Sequence, residues 1–476
     1  MHIIPQIDPV SEAAEAAQLA FRSFADSTPG ERARLLRKLS AAIGDHRSTL
    51  VSVANRETHI DTARLNGEVD RTRFQLQAFA DVVVAGGYLD AVIDPPVSGP
   101  PPAGHPDLRR VLTPLGPVGV FSASNFPFAF SVLGGDTASA LAAGCPVLVK
   151  AHEGHPRLSA LTFELAADVL PPGVLSLVTG REAGQALVRD PRMKAVGFTG
   201  STAGGRALFD LAVSRPDPIP FYGELGSVNP VVVTPAALEA RGEDIVRAFV
   251  ASYALGAGQL CTKPGLLFLP AGHDLEDSLR AAVQEVAPAE MLGPWIREGY
   301  LAAIRGLASA PGVRTVVAPS PDEQIAPSLF ATTAEALRTQ PAEECFGPAA
   351  LVVEYASVED LRATLRTLRP SLAAAIHAET GDEVAQAVHA DLDAGRLVWN
   401  GWPTGVAVTA AMHHGGAWPA TTAPLHTSVG ANAINRWLRP VAYQDTPDSL
   451  LPQPLRRDNP WGIPRRVNGR WTRDPA

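Results

Sequence analysis

Cys261 lies in the run Tyr253-Ala-Leu-Gly-Ala-Gly-Gln-Leu-Cys261-Thr-Lys-Pro-Gly265. A thiol between glycine-bearing turns is held where backbone can approach a ligand closely. Alone, such a Cys reads first as a small buried hydrophobe. Two other features change that reading. Upstream, Phe221-Tyr-Gly-Glu224-Leu-Gly-Ser227 sets a carboxylate among glycines, and Ser124-Asn125-Phe126-Pro127 puts an amide at the end of a predicted strand. Nucleophile, base and oxyanion donor are the three parts needed for covalent chemistry on a carbonyl.

A second group of residues points to a nucleotide. Phe198-Thr-Gly200-Ser201-Thr-Ala-Gly204-Gly205 follows a predicted strand and opens a predicted helix, Ala207–Ala212. Such a loop aims backbone N–H groups and a helix N-terminus at an anion, which suits a dinucleotide pyrophosphate. It is neither G-x-G-x-x-G nor a Walker A loop, and a plain tight turn fits it equally. Lys150-Ala-His152-Glu153 ends another predicted strand, on the edge that faces ligands in open α/β sheets. Lys150 there can serve a ribose or a phosphate, or be a solvated loop charge. In Glu344-Cys345-Phe346-Gly347-Pro348 a carboxylate precedes a rigid turn. Glu344 can accept hydrogen bonds from a ribose, or be a surface Glu; Cys345 reads as a packed thiol.

The aromatic, glycine-rich stretches Trp399–Gly405 and His413–Thr421 have the composition of rigid pocket walls. Adjacent His413 and His414 in an extended segment point to opposite faces, so no metal site is read there.

These residues need elements to hold them. The chain has 476 residues, which implies two or three domains. A 46% hydrophobic, 19% charged composition is that of a globular enzyme. The net charge of −9 argues against nucleic-acid or membrane-surface binding, both of which want clustered Lys and Arg. Three cysteines without C-x-x-C spacing imply neither a zinc framework nor disulfides, and point to a reduced, cytoplasmic compartment. Residues 1–8 show no secretory signal, and no apolar run has the length of a membrane span.

Apolar periodicity predicts helices over Ser11–Phe24, with Ser11 as N-cap, from Thr28 onward, and over Arg71–Gly86. The proline-rich Asp94–Gly104 breaks the pattern. Strands at Val118–Ser122, Val147–Lys150, Leu175–Val178 and Ala195–Phe198 then alternate with helices at Phe130–Ala143, Leu158–Leu170 and Ala183–Arg189. That order implies a parallel sheet covered by helices on both faces. A second α/β unit begins near Ser227, with a strand at Pro230–Val233, a helix at Ile245–Leu255 and a strand at Gly265–Leu269. Pro440–Ala476 reads as an arm.

Jointly, Asn125 in Ser-Asn-Phe-Pro, Lys150, Phe-Thr-Gly-Ser-Thr, Glu224-Leu-Gly, Gly-Gln-x-Cys261 and Glu344-x-Phe-Gly-Pro resemble the aldehyde dehydrogenase superfamily, from about Ser11 to the C-terminal arm. Tyr222-Gly-Glu-Leu-Gly-Ser-Val-Asn-Pro230, Gly401-Trp-Pro-Thr-Gly405 and His414-Gly-Gly-x-Trp-Pro-Ala-Thr421 are similar to its α-ketoglutaric semialdehyde (2,5-dioxopentanoate) dehydrogenase branch. That branch in turn resembles NADP-dependent fatty aldehyde dehydrogenases.

The resemblance implies an α/β fold with a Rossmann-type cofactor domain (1–93 and 114–226), a catalytic domain (227–430) and an oligomerisation element (94–113 and 431–476). It implies NAD(P)-dependent oxidation of an aldehyde to a carboxylate, with 2,5-dioxopentanoate as substrate, NADP as cofactor and NAD as the alternative. Medium- or long-chain aliphatic aldehydes are the second substrate reading. A coenzyme A-acylating enzyme conflicts with Glu224, whose hydrolysis would destroy the thioester. The implied roles are Cys261 as nucleophile, Asn125 as oxyanion donor and Glu224 as hydrolytic base. Lys150, His152, Glu153, Gly200, Ser201, Gly205, Leu225, Glu344 and Phe346 would hold the cofactor. No metal is implied. A homodimer or homotetramer is expected, with no nucleic-acid or membrane partner.

Two positions depart from the branch. Glu153 stands where NAD-using relatives place a carboxylate on the adenosine ribose, and it would repel a 2′-phosphate that Arg157 is near enough in sequence to meet. Gln77 stands where the branch carries an Arg that would suit a substrate's distal carboxylate.

Overall fold

The computed structural model describes residues 9–319 and 324–476. The reading of residues 1–8 lies outside them. Three sheets organise the chain. The first is wholly parallel, in the order Leu175–Val178, Val147–Lys150, Val118–Phe121, Ala195–Thr199, Phe221–Glu224. Its central strands, Val118–Phe121 and Val147–Lys150, are buried along their whole length, as a sheet covered on both faces requires. The chain starts at Val118–Phe121, runs outward one way, then returns to Ala195–Thr199 on the other side. That reversal opens a crevice at the C-terminal strand ends, the usual ligand site of such sheets.

Helices Pro29–Asp45, Thr62–Ala85 and Gly135–Ala143 share one apolar core with this sheet. Thr28 and Glu31 close a capping box at the start of the first: Thr28 Oγ1 accepts from Glu31 N at 3.2 Å, and the Glu31 carboxylate accepts from Thr28 N at 2.8 Å. The second sheet has seven strands in the order Arg314–Val317, Ser328–Thr333, Ala349–Tyr355, Leu266–Pro270, Pro230–Val233, Ala374–His377, Leu397–Trp399. Only the Arg314–Val317 edge is antiparallel. The third is a mixed sheet of Leu438–Gln444, Leu108–Pro114, Ala91–Asp94, Arg465–Val467 and Arg470–Thr472. The fold class is therefore α/β, as the element order implied.

Several boundaries differ from the sequence reading. The first helix starts at Pro9, where a proline fits the unsatisfied first turn. Ser11 is inside it and is no cap; its Oγ accepts from Arg192 Nη2 at 2.8 Å. The helix expected from Phe130 begins only at Gly135. Before it the chain doubles back so tightly that a Cβ on Gly134 would lie 2.6 Å from Ala129 O. The apolar run there reflects burial, not helical period. The helix expected from Ala207 begins at Thr202, capped by Ser201, and the one expected from Arg71 begins at Thr62, capped by Asp61. The terminal arm is not irregular: it supplies three of the five strands of the third sheet. Among the described residues, no helix is long and apolar enough to cross a membrane.

Candidate active site

The loop before Cys261 is bent by three successive left-handed residues, Gly256, Ala257 and Gly258, with φ of 59°, 54° and 64°. At Gly258 no side chain fits, because a Cβ would lie 2.2 Å from Gly347 O. The bend thus brings the Cys loop onto the Glu344–Pro348 turn. Asn229 pins it from the other side. Its Nδ2 donates to Cys261 O at 2.8 Å and to Lys263 O at 2.9 Å, while its Oδ1 accepts from Ser227 Oγ and Ala373 N. Asn229 itself has φ 47°, a conformation its short polar side chain tolerates. The thiol is left on the wall of a cavity of about 820 Å³ shared with Asn125, Glu224, Glu344 and Phe346. That size suits a ligand pocket.

Glu224 ends the last strand of the first sheet. A distant loop clamps it there: Leu225 N donates to Ala420 O at 2.8 Å, and Gly223 N donates to Thr422 Oγ1 at 2.8 Å. The same loop carries His414. His414 Nε2 lies 2.8 Å from Glu224 Oε1 and 3.7 Å from Cys261 Sγ. Ser428 Oγ donates to Glu224 Oε2 at 2.6 Å. Glu224 is 3% and His414 2% exposed. Burial pushes the Glu224 carboxyl up, but His414, Ser428 and the Cys261 thiol outweigh it and hold it below the ordinary value. Burial first, and the Glu224 charge second, push the Cys261 thiol well above its ordinary value. The thiol has an imidazole–carboxylate pair beside it.

Asn125 is 7% exposed and donates one amide hydrogen to Gln259 O at 2.9 Å. An amide carries two, so the second is left to point at a carbonyl oxygen in the cavity. The arrangement can bind, attack and release an acyl group.

The cofactor end of the cavity holds most of the expected residues. Lys150, His152, Glu153, Gly200, Ser201, Leu225, Glu344 and Phe346 all line it. Gly205 does not. It stands one step behind Gly204, where a Cβ would strike Leu225 Cδ2 at 2.1 Å, so it sets helix packing instead. Ser201 caps the helix Thr202–Val213 by accepting from Gly204 N. His152 stacks between His155 and Trp295, with centroids 5.6 and 5.9 Å away. Burial lowers its pKa to about 4, so it is neutral. A Cβ on Gly226 would lie 2.4 Å from Glu344 Oε2, so bare backbone approaches that carboxylate. Burial raises Glu344 to about 7. A capped helix N-terminus, a carboxylate acceptor and a Lys at adjoining strand ends fit a dinucleotide.

Glu153 is half-exposed and ion-pairs with Lys150. Arg157 is exposed and does not line the cavity; Arg181 does. Gln77 faces away from the site, its Nε2 donating to Ser40 Oγ at 3.1 Å. Two other arginines, Arg71 and Arg396, are near enough to the thiol for the Cys261 charge to act on them; Arg71 donates to Val406 O, and Arg396 to Pro403 O and Gly405 O. Each is partly buried, and each has an Nε without a hydrogen-bond partner.

Sequence reasoning missed His414 and these two arginines. Of the His pair, His414 is buried and His413 is less so; the alternation argument concerned their faces alone. It had no means of finding a carboxylate 190 residues away.

Known proteins bear on this site. Residues 6–437 match the aldehyde dehydrogenase family. The chain is 46% identical to "Alpha-ketoglutaric semialdehyde dehydrogenase 2" of Azospirillum brasilense, over 97% of this chain and 91% of that one. It is 40% identical to "Alpha-ketoglutaric semialdehyde dehydrogenase" of Acinetobacter baylyi, again over 97% and 91%. The structure is similar to 1-pyrroline-5-carboxylate dehydrogenase from Thermus with bound NAD, at a TM-score of 0.78 and 21% identity, over 91% of this chain and 85% of that one. The thiol, carboxylate and amide around one cavity, and a family match spanning most of the chain, lead to one conclusion: this chain belongs to the aldehyde dehydrogenase family, enzymes that oxidise aldehydes with NAD(P).

Proposed function

We propose that this enzyme oxidises 2,5-dioxopentanoate to 2-oxoglutarate through a thioester on Cys261. The supporting observation is the pair Arg71 and Arg396, two partly buried cations near enough to the thiol for the Cys261 charge to act on them. An aliphatic tunnel would gain nothing from them, whereas a semialdehyde with a distal carboxylate would be oriented by one or both. The relatives of the same name support the reading.

In this mechanism the thiol proton passes to the His414–Glu224 pair as sulfur bonds to the aldehyde carbon. Asn125 Nδ2 and the Cys261 N–H hold the oxyanion, where one preorganised donor is worth about 3–4 kcal/mol. Lys150, Glu344 and the Gly200–Gly204 loop would hold the dinucleotide, which when bound would supply the hydride acceptor for the acyl stage. The pair releases the first proton to solvent, Glu224 then takes a proton from water, hydroxide adds to the thioester carbonyl, and the C–S bond breaks as Glu224 returns its proton to the Cys261 sulfur. His414 keeps Glu224 ionised for that step and aims it at the thioester.

NADP is the proposed cofactor, with NAD as the alternative. The Lys150–Glu153 ion pair offsets the carboxylate's repulsion, and Arg181 on the same cavity can meet a 2′-phosphate. The cytoplasm is the proposed compartment, since all three cysteines are free and the chemistry needs a reduced thiol. The proposed domain division is that implied by the motifs, with the third sheet as the oligomerisation element of a homodimer or homotetramer. Its edge strands Leu438–Gln444 and Arg470–Thr472 are largely exposed, and Trp471 is 62% exposed. Edge strands of this kind are ready to pair with another copy.

The deciding experiment compares kcat/KM for 2,5-dioxopentanoate, succinic semialdehyde and straight-chain aldehydes, with each dinucleotide, in the wild type and in Arg71→Met and Arg396→Met. A maximum at 2,5-dioxopentanoate that the arginine variants lower selectively supports the proposal. A steady rise with aliphatic chain length, indifferent to both arginines, would sink it.

A further inference from the structure

Cys261 Sγ, His414 Nε2 and a Glu224 carboxylate oxygen all lie within 4.8 Å of one another. We propose that these three residues form a zinc site that reversibly shuts the enzyme off. Thiolate, imidazole and carboxylate are the three ligand types that zinc selects, and three protein ligands with an open fourth position is a common zinc arrangement.

The geometry is close to what the ion needs. Bonds of about 2.3 Å to sulfur and 2.0–2.1 Å to nitrogen, at a tetrahedral angle, put those two atoms about 3.5–3.6 Å apart. The Sγ–Nε2 distance is 3.7 Å. Two bonds of about 2.0 Å place nitrogen and oxygen about 3.3 Å apart. His414 Nε2 and Glu224 Oε1, at 2.8 Å, would open by about half an ångström as the ion replaces their hydrogen bond. Ser428 Oγ holds the other carboxylate oxygen, an outer-shell support of the sort that orients metal ligands. The loops are already rigid: Asn229 fixes the Cys261 carbonyl, and Thr427 Oγ1 accepts from His414 N.

The charge count also fits. One thiolate and one carboxylate neutralise a dication. A thiol binds zinc as thiolate, so its proton leaves to solvent as the S–Zn bond forms, and no other co-reactant is needed. The bound ion would mask nucleophile and hydrolytic base together. Cys261 and Glu224 both face the cavity, so the ion enters by the substrate's route.

The test uses full-length, chelator-washed protein titrated with cobalt(II) alone and then with zinc. Metal binding is read from the spectrum, so it does not depend on which aldehyde is oxidised. One equivalent of cobalt should produce a thiolate-to-metal charge-transfer band, and zinc should bleach it while stopping turnover at the same midpoint. EDTA should restore both. Cys261→Ser should lose the band, and His414→Phe should weaken zinc binding by about tenfold or more, since even outer-shell losses cost 10–100-fold. Thermal melts and dinucleotide binding show that the variants are folded, and His414→Gln serves if the Phe variant is not. Absence of a thiolate band, or zinc affinity unchanged in folded His414 variants, overturns the proposal.

Discussion

Replacing His414 by Phe keeps most of the side-chain volume and removes the hydrogen bond to Glu224 Oε1 at 2.8 Å, along with the 3.7 Å contact to Cys261 Sγ. Glu224 is 3% exposed, so water does not replace the lost donor, and Ser428 and the Cys261 thiol remain as its partners. A hydrogen bond to a charged group is worth about 1.5–3 kcal/mol, or roughly a 10–150-fold change in the equilibrium between ionised and neutral carboxyl. Burial, the largest influence on Glu224, favours the neutral form, so the variant holds less carboxylate at any given pH. Hydrolysis of the thioester needs that carboxylate. The acidic limb of the kcat profile should therefore move to higher pH, while the stopped-flow burst of reduced dinucleotide persists and the steady state after it slows. Stability follows the same sign. A carboxyl held below its unfolded value stabilises the fold above that value and loses the effect as pH falls through the folded one. The variant should thus be less stable than wild type at neutral pH, with the gap narrowing on acidification. A kcat profile superimposable on that of the wild type, or a defect confined to the burst, refutes the reasoning.

Cys261→Ala should abolish oxidation and leave dinucleotide binding intact, as measured by fluorescence titration; substantial residual turnover would move the nucleophile elsewhere. Glu224→Gln should give one burst of reduced dinucleotide and then stall, and unchanged steady-state turnover would remove it from the hydrolytic role. Glu344 is raised to about 7 by burial, so it is a full acceptor for ribose hydroxyls only above that pH. Dinucleotide affinity should therefore weaken as pH falls through about 7, and Glu344→Gln should flatten that dependence in calorimetric titrations. Glu153→Ala should raise kcat/KM for NADP relative to NAD by freeing Lys150 and removing a negative charge beside the ribose; an unchanged ratio would show that the 2′-position is read by other groups.

The α/β order was legible because strand and helix periods differ, and because glycine and proline mark the turns between them. Interior strands such as Val147–Lys150 were found to the residue. Helix ends were found less well. Phe130 and Ala207 sit in apolar runs whose burial is tertiary in origin, and the true starts depend on caps and on the tight doubling-back at Gly134. The third sheet could not be read at all from the arm, since its strands pair with Ala91–Asp94 and Leu108–Pro114, more than three hundred residues upstream.

The chemistry divides in the same way. Local sequence determined that Cys261 follows a glycine-bearing turn and that Glu224 and Asn125 stand at or just after strand ends, because the backbone needs of a reactive group are met by its immediate neighbours. Motifs of that kind survive in one dimension. Only the tertiary structure decided that His414 completes a thiol–imidazole–carboxylate cluster, that Gly205 packs a helix instead of lining the site, and that Arg71 and Arg396 come near the Cys261 thiol. Electrostatic and hydrogen-bonding partners act over a few ångströms of space and are indifferent to separation along the chain. Folding the loop that carries His414 onto the end of the strand that carries Glu224 is what makes them neighbours.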